Sequence, residues 1–385
     1  MERLYLDHQN NTGLSPQVME AIQGALKLLG NPSSFHAEGR WAAKARETAR
    51  GLVAALLNTR SEEIFFTSSG TEANIWALIG LTQASGSKGK HLIVSAVEHL
   101  SILQTTRRLE KEGWQVTRLP VDRKGQVHPE ILEKAFTPET VLISLQWANG
   151  EVGTLQPMAE CVRRAKARGI LVHSDAVSAA GQVPVDVRLV PVDVLSLAAN
   201  AFGGPSGIGA LFIRKGIRIL PLLIGGAQEE GRRAGTENLL GIVGMGKAAE
   251  LAKERLLLGD GQRLAFLRDR LIEGILSRVP EAVFNGHSIE RLPGHVSVSF
   301  PGLDAETLVL ALDLEGIAVG MGSACTSRSM KASHVLKAMG MEENQALGTI
   351  TCTLGEKTTE QEIDRVLEIL PRTVAKQRRE VLVET

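Results

Sequence analysis

Six short apolar segments between residues 64 and 213 constrain the fold of this chain more than any other feature. They read IFFT (64–67), HLIVSAV (91–97), VLISLQW (141–147), ILVHSDA (170–176), VDVLSLAA (192–199) and GALFI (209–213). Helical patterns separate several of them, and one such pattern places Ile75, Leu78 and Ile79 on a single helix face. Apolar strands that alternate with helices predict an α/β fold with a largely parallel sheet covered on both faces.

A different pattern begins after residue 240. A long helical segment ends at a Gly-Asp-Gly sequence, residues 259–261, and a second helix follows it. Residues 295–299 then alternate strictly between polar and apolar side chains, which predicts a half-buried strand. Further helices are expected near 305–315, 333–339 and 359–377. We therefore expect a large domain at residues 15–259 and a smaller α+β domain formed by residues 1–14 and 260–385.

The composition argues against several classes of protein. The 385 residues include 43 basic and 43 acidic side chains, so the formal net charge is zero, which disfavours a dedicated nucleic-acid or membrane-surface binder. No apolar run approaches the roughly 18 residues that a membrane-spanning helix needs. The N-terminal residues also lack the apolar core of a signal peptide. We expect a cytoplasmic protein without membrane or direct nucleic-acid contacts.

The three cysteines differ in their surroundings. They are too few for a disulfide framework and match no zinc-binding spacing, so we expect no metal site. Cys161 falls in a predicted helix and Cys352 in a predicted strand, where both would be packing residues. Cys325 lies instead in the small, polar segment GSACTSRS (322–329), which makes it the better candidate nucleophile, and Arg328 would favour its thiolate form.

Polar residues follow several predicted strands at the edge where ligands bind in open α/β sheets. Gly70 and Thr71 lie in SSGTEAN (68–74), where small residues at a strand-to-helix turn suit a phosphate group. The same pattern also caps ordinary helices. Asp175 ends another strand, where its carboxylate would either hold a pyridinium nitrogen protonated or cap a helix.

His99 and Asn149 follow two further strands of the series. An imidazole at the His99 position would stack on an aromatic cofactor ring, but a single histidine is also common as a helix cap or core residue. Four strand ends that carry such side chains together favour a ligand site at this edge of the sheet.

These motifs together resemble the cysteine desulfurases of iron–sulfur cluster assembly, a branch of the fold-type-I enzymes that use pyridoxal phosphate (PLP), in the class-V aminotransferase group. The resemblance covers nearly the whole chain and includes YLDHQNN, FFTSSGTEAN, VEHLSIL, ANGEVGTLQP, SDAVSAAGQVPVDV, GGPSGIGALFIR, GGAQEEGRRAGTEN, GSACTS and SHVLKAMG. It implies a fold-type-I architecture with a mostly parallel, seven-stranded sheet, a homodimer, and a partner that is an iron–sulfur scaffold or a sulfur acceptor.

The resemblance also implies roles for individual residues. Gly70 and Thr71 match phosphate contacts, His99 the ring-stacking histidine, Asn149 a contact near O3′, Asp175 the partner of the pyridine nitrogen, Thr236 a phosphate contact from the second subunit, and Cys325 the cysteine that carries the persulfide. Ser178 stands where the family has a glutamine near O3′.

The chain departs from the family where the cofactor is captured. Ala201 occupies the position of the lysine that forms the Schiff base with PLP, and no lysine occurs between Lys166 and Lys215. Ala198 and Asn200 replace two phosphate-side contacts. Thr351 stands where an arginine that binds the substrate carboxylate is expected, and Asn10, Asn11 and Thr12 replace an alanine-threonine-threonine run.

Three functions remain open on these residues. The first is a dimeric assembly or sulfur-relay protein that acts through Cys325 and is inactive or very weak as a standard desulfurase. The second is an enzyme that uses noncovalently bound PLP or pyridoxamine phosphate. The third is a binding module with a repurposed pocket, which holds another small anionic ligand in place of the cofactor or holds nothing. Whether the chain is an enzyme therefore stays undecided here.

Overall fold

The computed structural model describes residues 3–28, 30–322 and 332–384. The strands are β1 (Leu4–Leu6), β2 (Ile64–Thr67), β3 (His91–Ser95), β4 (Gln115–Leu119), β5 (Thr140–Ser144), β6 (Leu171–Asp175), β7 (Val194–Ala198), β8 (Gly209–Ile213), β9 (Val283–Phe284), β10 (His295–Ser299), β11 (Ile317–Met321) and β12 (Thr349–Thr353). The helices are α1 (Pro16–Ala25), α2 (Ala37–Leu56), α3 (Gly70–Ser85), α4 (Leu100–Lys111), α5 (Pro129–Lys134), α6 (Met158–Ala167), α7 (Leu239–Leu258), α8 (Asp260–Arg278), α9 (Ala305–Leu314), α10 (His334–Ala338), α11 (Glu343–Leu347) and α12 (Glu360–Glu384).

The larger sheet has seven strands within the described ranges, in the order β2-β8-β7-β6-β5-β3-β4. Strands β4, β3, β5, β6 and β7 pair in parallel, whereas β8 runs antiparallel to both β7 and β2. The predicted seven-stranded, mostly parallel sheet is therefore confirmed. The six apolar segments all form strands, and the edge strand β4 is an addition, because its residues are more polar and only half buried.

The smaller sheet has the order β1-β11-β12-β10-β9. Its first strand comes from the start of the chain, with Leu4 opposite Ile317 in a parallel pair. A separate apolar cluster, which includes Leu271, Phe300 and Leu370, packs against this sheet. Gly259 ends α7 in the left-handed conformation, with φ near 77°, and α8 begins at the next residue. The division into domains at residue 259 stays a prediction.

The expectation of a half-buried strand at residues 295–299 is wrong. Strand β10 is buried along its whole length, including its polar face. On that face Asn285 donates to the Ser299 hydroxyl over 2.9 Å, and the His295 ring donates to the backbone oxygen of Gly150 over 2.9 Å. Polar and apolar side chains do alternate along β10. The polar side chains, however, form hydrogen bonds with other buried groups and not with solvent.

A buried ion pair fixes the segment that follows β8 against α2. Arg50 donates two hydrogen bonds of 2.8 Å to the Glu229 carboxylate, which also accepts the backbone N–H of Phe66 over 2.8 Å. Glu229 and Glu230 both have positive φ values, near 48° and 57°, which is strained for residues with a side chain. The ion pair therefore holds in place a backbone that would not adopt this conformation alone.

Removal of this ion pair tests its contribution to the fold. We expect Arg50→Met to lower the free energy of unfolding by about 3–5 kcal/mol, because the Glu229 carboxylate stays buried without its partner. Urea denaturation measures this quantity. Arg372→Met removes an exposed partner of Glu368 and is the matched control, with an expected loss below about 1 kcal/mol. Equal losses in the two variants would contradict this account.

Candidate functional site

The carboxyl ends of β3, β5, β6 and β7 meet the start of α3 around a cavity of about 310 Å³. The residues predicted from the sequence that line this cavity are Gly70, Thr71, His99, Asn149, Asp175 and Ser178. They come together because parallel strands place their carboxyl ends at one edge of the sheet. The cavity also includes Ala198 and Asn200, two of the positions that depart from the family pattern.

Asp175 is held at the end of β6 by donors on both of its carboxylate oxygens. Asn74 of α3 donates to Oδ2 over 2.6 Å, and the backbone N–H of Val177 donates to Oδ1 over 2.9 Å. The Asn74 amide also donates to the Ser101 hydroxyl over 2.9 Å, and that hydroxyl lies 2.7 Å from Nδ1 of His99. One chain of hydrogen bonds therefore orients both side chains that would contact an aromatic ring.

His99 also serves as a helix cap, which was the alternative interpretation of this residue. It occupies the N-cap of α4, where its ring accepts the backbone N–H of Ser101 over 3.1 Å. Capping uses Nδ1, and the residue still lines the cavity. The two interpretations of His99 are therefore compatible in this structure.

The start of α3 presents small residues to the cavity. Ser69 caps the helix by accepting the backbone N–H of Glu72 over 3.1 Å. At Gly70 an added Cβ would lie 2.6 Å from Cγ2 of Val177, so only glycine fits between helix and loop. Backbone N–H groups at a helix start, next to the positive end of its dipole, suit an anionic group.

The loop after β5 is shaped by Asn149. Its side-chain oxygen accepts the backbone N–H groups of Glu151 and Val152 over 2.8 and 2.9 Å, and its amide donates to the Val97 backbone oxygen over 3.1 Å. Asn149 thus joins the ends of β3 and β5, in addition to lining the cavity.

The start of the chain also reaches the cavity, and there Asn10 is a further position that departs from the family pattern. The Gln9 side-chain amide donates to the Ser178 hydroxyl over 2.8 Å, and the Asn200 amide donates to the backbone oxygen of Asn10 over 3.1 Å. Gln9 and Asn10 both line the cavity. Both residues belong to the family motif YLDHQNN, but the sequence did not single out Gln9 as a site residue.

Two carboxyl groups of the cavity were also missed. Glu98 is completely buried, and burial, with a smaller contribution from Asp175, raises the pKa of its carboxyl well above the usual range. One of its oxygens accepts the backbone N–H of Gln146 over 3.0 Å, and the other has no hydrogen-bond partner. Burial also raises the pKa of Glu151 to about 7, although the Ser333 hydroxyl, which donates to it, and the charge of His99 act in the opposite direction. Both lie within two residues of a predicted site residue.

Ala201 lies just outside this lining. It is buried in the short helical turn that follows β7, between Asn200 and Phe202. Of the lining residues that the structure describes, none is a lysine or an arginine. The described part of the cavity wall therefore offers no lysine amine that could form a Schiff base with an aldehyde.

The remaining predicted positions lie elsewhere. Thr236 lines a second cavity of about 140 Å³, together with Ser68 and Arg233. Thr351 is buried in β12 opposite Ser297. Cys325, the candidate nucleophile, lies outside the described residues.

Cys161 and Cys352 are both buried and unpaired, which confirms their prediction as packing residues. Burial raises the pKa of each thiol to about 12. Across residues 3–28, 30–322 and 332–384, no cluster of three or more His, Cys, Asp or Glu residues could hold a metal ion. None of the helices in these ranges is long and apolar enough to cross a membrane.

The sequence model of the family described as "Aminotransferase class-V" matches residues 4–366 of this chain. A relative named "Cysteine desulfurase IscS" from Clostridium botulinum is 45% identical over 383 residues, which cover 99% of this chain and 96% of that protein. A protein of the same name from Methanosarcina thermophila is 45% identical over 376 residues and covers 97% of this chain and 93% of its own length.

A solved structure described as "NIFS-LIKE PROTEIN" superposes with a TM-score of 0.91 at 36% sequence identity. The superposition covers 97% of this chain and 99% of that one. The fold is accordingly the fold-type-I PLP architecture expected from the sequence. The extent of these matches shows that this chain belongs to the class-V aminotransferase family and is related to the cysteine desulfurases within it.

Proposed function

We propose that this chain is a sulfur-transfer protein of iron–sulfur metabolism, which takes sulfur on Cys325 and is inactive or very weak as a standard cysteine desulfurase. The observation that carries the proposal is the contrast within the cavity. Asp175 and His99 are held in one hydrogen-bonded chain, whereas Ala201 offers no amine. The names of the relatives support the sulfur chemistry.

The cavity residues fit PLP at its ring and its phosphate but not at its aldehyde. Asp175 would face the pyridine nitrogen, His99 the ring, and the start of α3 at Gly70 and Thr71 the phosphate. The unpartnered amide nitrogen of Gln146, buried in the cavity wall, adds a donor for a bound group. We therefore propose that PLP binds without a covalent bond. When bound, PLP would supply an electron sink for carbanion chemistry.

The chain's own residues account for a low activity. General acid–base groups typically contribute about 100-fold to 10,000-fold to a rate, and the lysine that would supply one is absent. An arginine contact to a substrate carboxylate is worth about 1.5–3 kcal/mol, and Thr351 at that position is buried in a strand. Asp175 and His99 can still orient a ring, but neither replaces these two functions.

Thr236 supports a homodimer as part of the proposal. It lies away from the main cavity of its own chain, in a segment that the Arg233–Glu72 ion pair holds against α3. The resemblance to the desulfurases implies that this threonine contacts the phosphate group in the second subunit. We propose that the dimer is cytoplasmic and delivers sulfur to an iron–sulfur scaffold or another acceptor protein, with no membrane or direct nucleic-acid contact.

Insertion of the missing amine tests the noncovalent binding of PLP. We expect the wild-type protein to carry no phosphopyridoxyl group in the peptide around residue 201 after incubation with PLP and borohydride reduction. Ala201→Lys should carry one, because position 201 is where the related desulfurases have the lysine that forms the Schiff base. Mass spectrometry of the peptides distinguishes the two. Labelling of another cavity residue in the wild-type protein would contradict the proposal.

The carboxylate of Asp175 should be needed for binding. We expect Asp175→Asn to weaken PLP binding by about tenfold or more, because the pyridinium loses its charged partner. Fluorescence titration of the cofactor measures the dissociation constant. Asp313→Asn changes an exposed carboxylate that pairs with Arg3 and is the matched control. Similar affinities in the two variants would argue against the assignment of Asp175.

Cys325 should be the residue that accepts sulfur. After incubation with a low-molecular-weight persulfide donor, intact-mass analysis of the wild-type protein should show one added sulfur, and Cys325→Ser should show none. Cys161→Ser is the control, because the Cys161 thiol is buried and its pKa of about 12 keeps it protonated. Undiminished sulfur on Cys325→Ser would rule out the sulfur-relay role.

A further inference from the structure

The charged groups that line the cavity favour a cation. Its titratable lining residues, among those that the structure describes, are the carboxyls of Glu98, Glu151 and Asp175 and the rings of His99 and His334. The Asp175 carboxylate receives two hydrogen bonds from amide groups, which neutralise none of its charge. Because no described lysine or arginine lines the same space, a ligand that carries a positive group gains from the carboxylates of Asp175 and Glu151.

An unsatisfied hydrogen-bond acceptor points in the same direction. The side-chain oxygen of Asn74 has no hydrogen-bond partner, and the residue is only 1% exposed. Asn74 lines the cavity. Such an atom is stabilised by a donor from a bound group. An aldehyde oxygen is only an acceptor, whereas an ammonium group carries three donors.

Glu151 is the carboxyl best placed to meet a ligand cation. Its backbone N–H is held by the Asn149 side chain over 2.8 Å, and the Ser333 hydroxyl donates to one carboxylate oxygen, so both ends of the residue are positioned. Glu151 lines the same cavity as His99, and one of its carboxyl oxygens lies 3.8 Å from the place that a Cβ on Gly322 would take.

We propose that the cavity selects the amine form of the cofactor, pyridoxamine 5′-phosphate, over forms without an amine, and that Glu151 pairs with the ammonium group. This inference rests on the noncovalent cofactor site proposed above. It explains how the site can do without a lysine, because the amine form needs no covalent bond to the protein. Binding is a simple association in which no bond is made or broken.

The neutral alcohol pyridoxine 5′-phosphate isolates this effect, because it shares the ring and phosphate of the amine form. Isothermal titration calorimetry of the full chain, purified without cofactor, would give both dissociation constants. At pH 8 we expect the amine form to bind about tenfold or more tightly than the alcohol. A ratio below about threefold overturns the inference. If the alcohol binds and the amine form binds no more tightly, the proposed cofactor site is supported and only the proposed selectivity is contradicted. If neither binds, nor PLP, the cofactor site of the proposed function fails with it.

The pH dependence separates Glu151 from a merely structural role. Its carboxyl has a pKa raised to about 7, so it is mostly neutral at pH 6 and mostly ionised at pH 8, while the ligand amine stays protonated. The ratio of the two dissociation constants should therefore grow as the pH rises through 7. Burial lowers the pKa of the His334 ring and raises the pKa of the Glu98 carboxyl, so in both groups it favours the neutral form. A ratio that is constant or falls between pH 6 and 8 contradicts the proposal.

A conservative variant tests the assignment directly. Glu151→Gln should reduce the ratio at pH 8 to about threefold or less and remove its pH dependence, while the affinity for the alcohol changes by less than about twofold. Glu151→Asp should restore part of the ratio. Glu343→Gln, at an exposed carboxylate paired with Lys337, is the control and should keep the full ratio. If the ratio of the two dissociation constants is unchanged in Glu151→Gln, the role proposed for Glu151 is overturned. If a variant fails to fold, the pH dependence of this ratio in the wild-type protein still tests the proposal.

Discussion

The parallel pairing of β3, β5, β6 and β7 is the constraint on which the rest of the structure depends. Each of these strands is buried on both faces, and each ends at the same edge of the sheet. The residues that directly follow these strands therefore line the same cavity. Because of this arrangement, residues as distant in sequence as His99 and Asp175 act in one site.

The hydrogen bonds from Asn74 connect this strand edge to α3. Its amide group contacts both the Asp175 carboxylate and the Ser101 hydroxyl, and through the latter it orients His99. Because the Asn74 amide is neutral, its hydrogen bonds orient Asp175 and His99 without changing the charge of the cavity. The loss of the lysine at position 201 has a larger effect, because it leaves carboxyls without a lysine or arginine among the described lining residues.

Six strands of the larger sheet and six residues that line the cavity could be predicted from the sequence, since apolar segments and the residues after them are local signals. Glu98 and Glu151 were missed because a carboxylate beside a loop is normally solvated, and only the tertiary structure shows that both line the cavity and are desolvated. Gln9 was missed because its partner, Ser178, is 169 residues away. The prediction that one face of β10 is exposed to solvent was wrong. Alternation of polar and apolar residues shows that the two faces of a strand differ, but it does not show what covers the polar face.

The amino-acid sequence by itself determined the α/β fold, the family and the absence of a lysine at position 201, because each depends on residue order alone. The tertiary structure decided which carboxyls share the cavity with Asp175, how deeply each is buried, and that Thr236 lies in a separate cavity of the same chain. These properties depend on distance and desolvation, which arise only when segments far apart in the chain pack together.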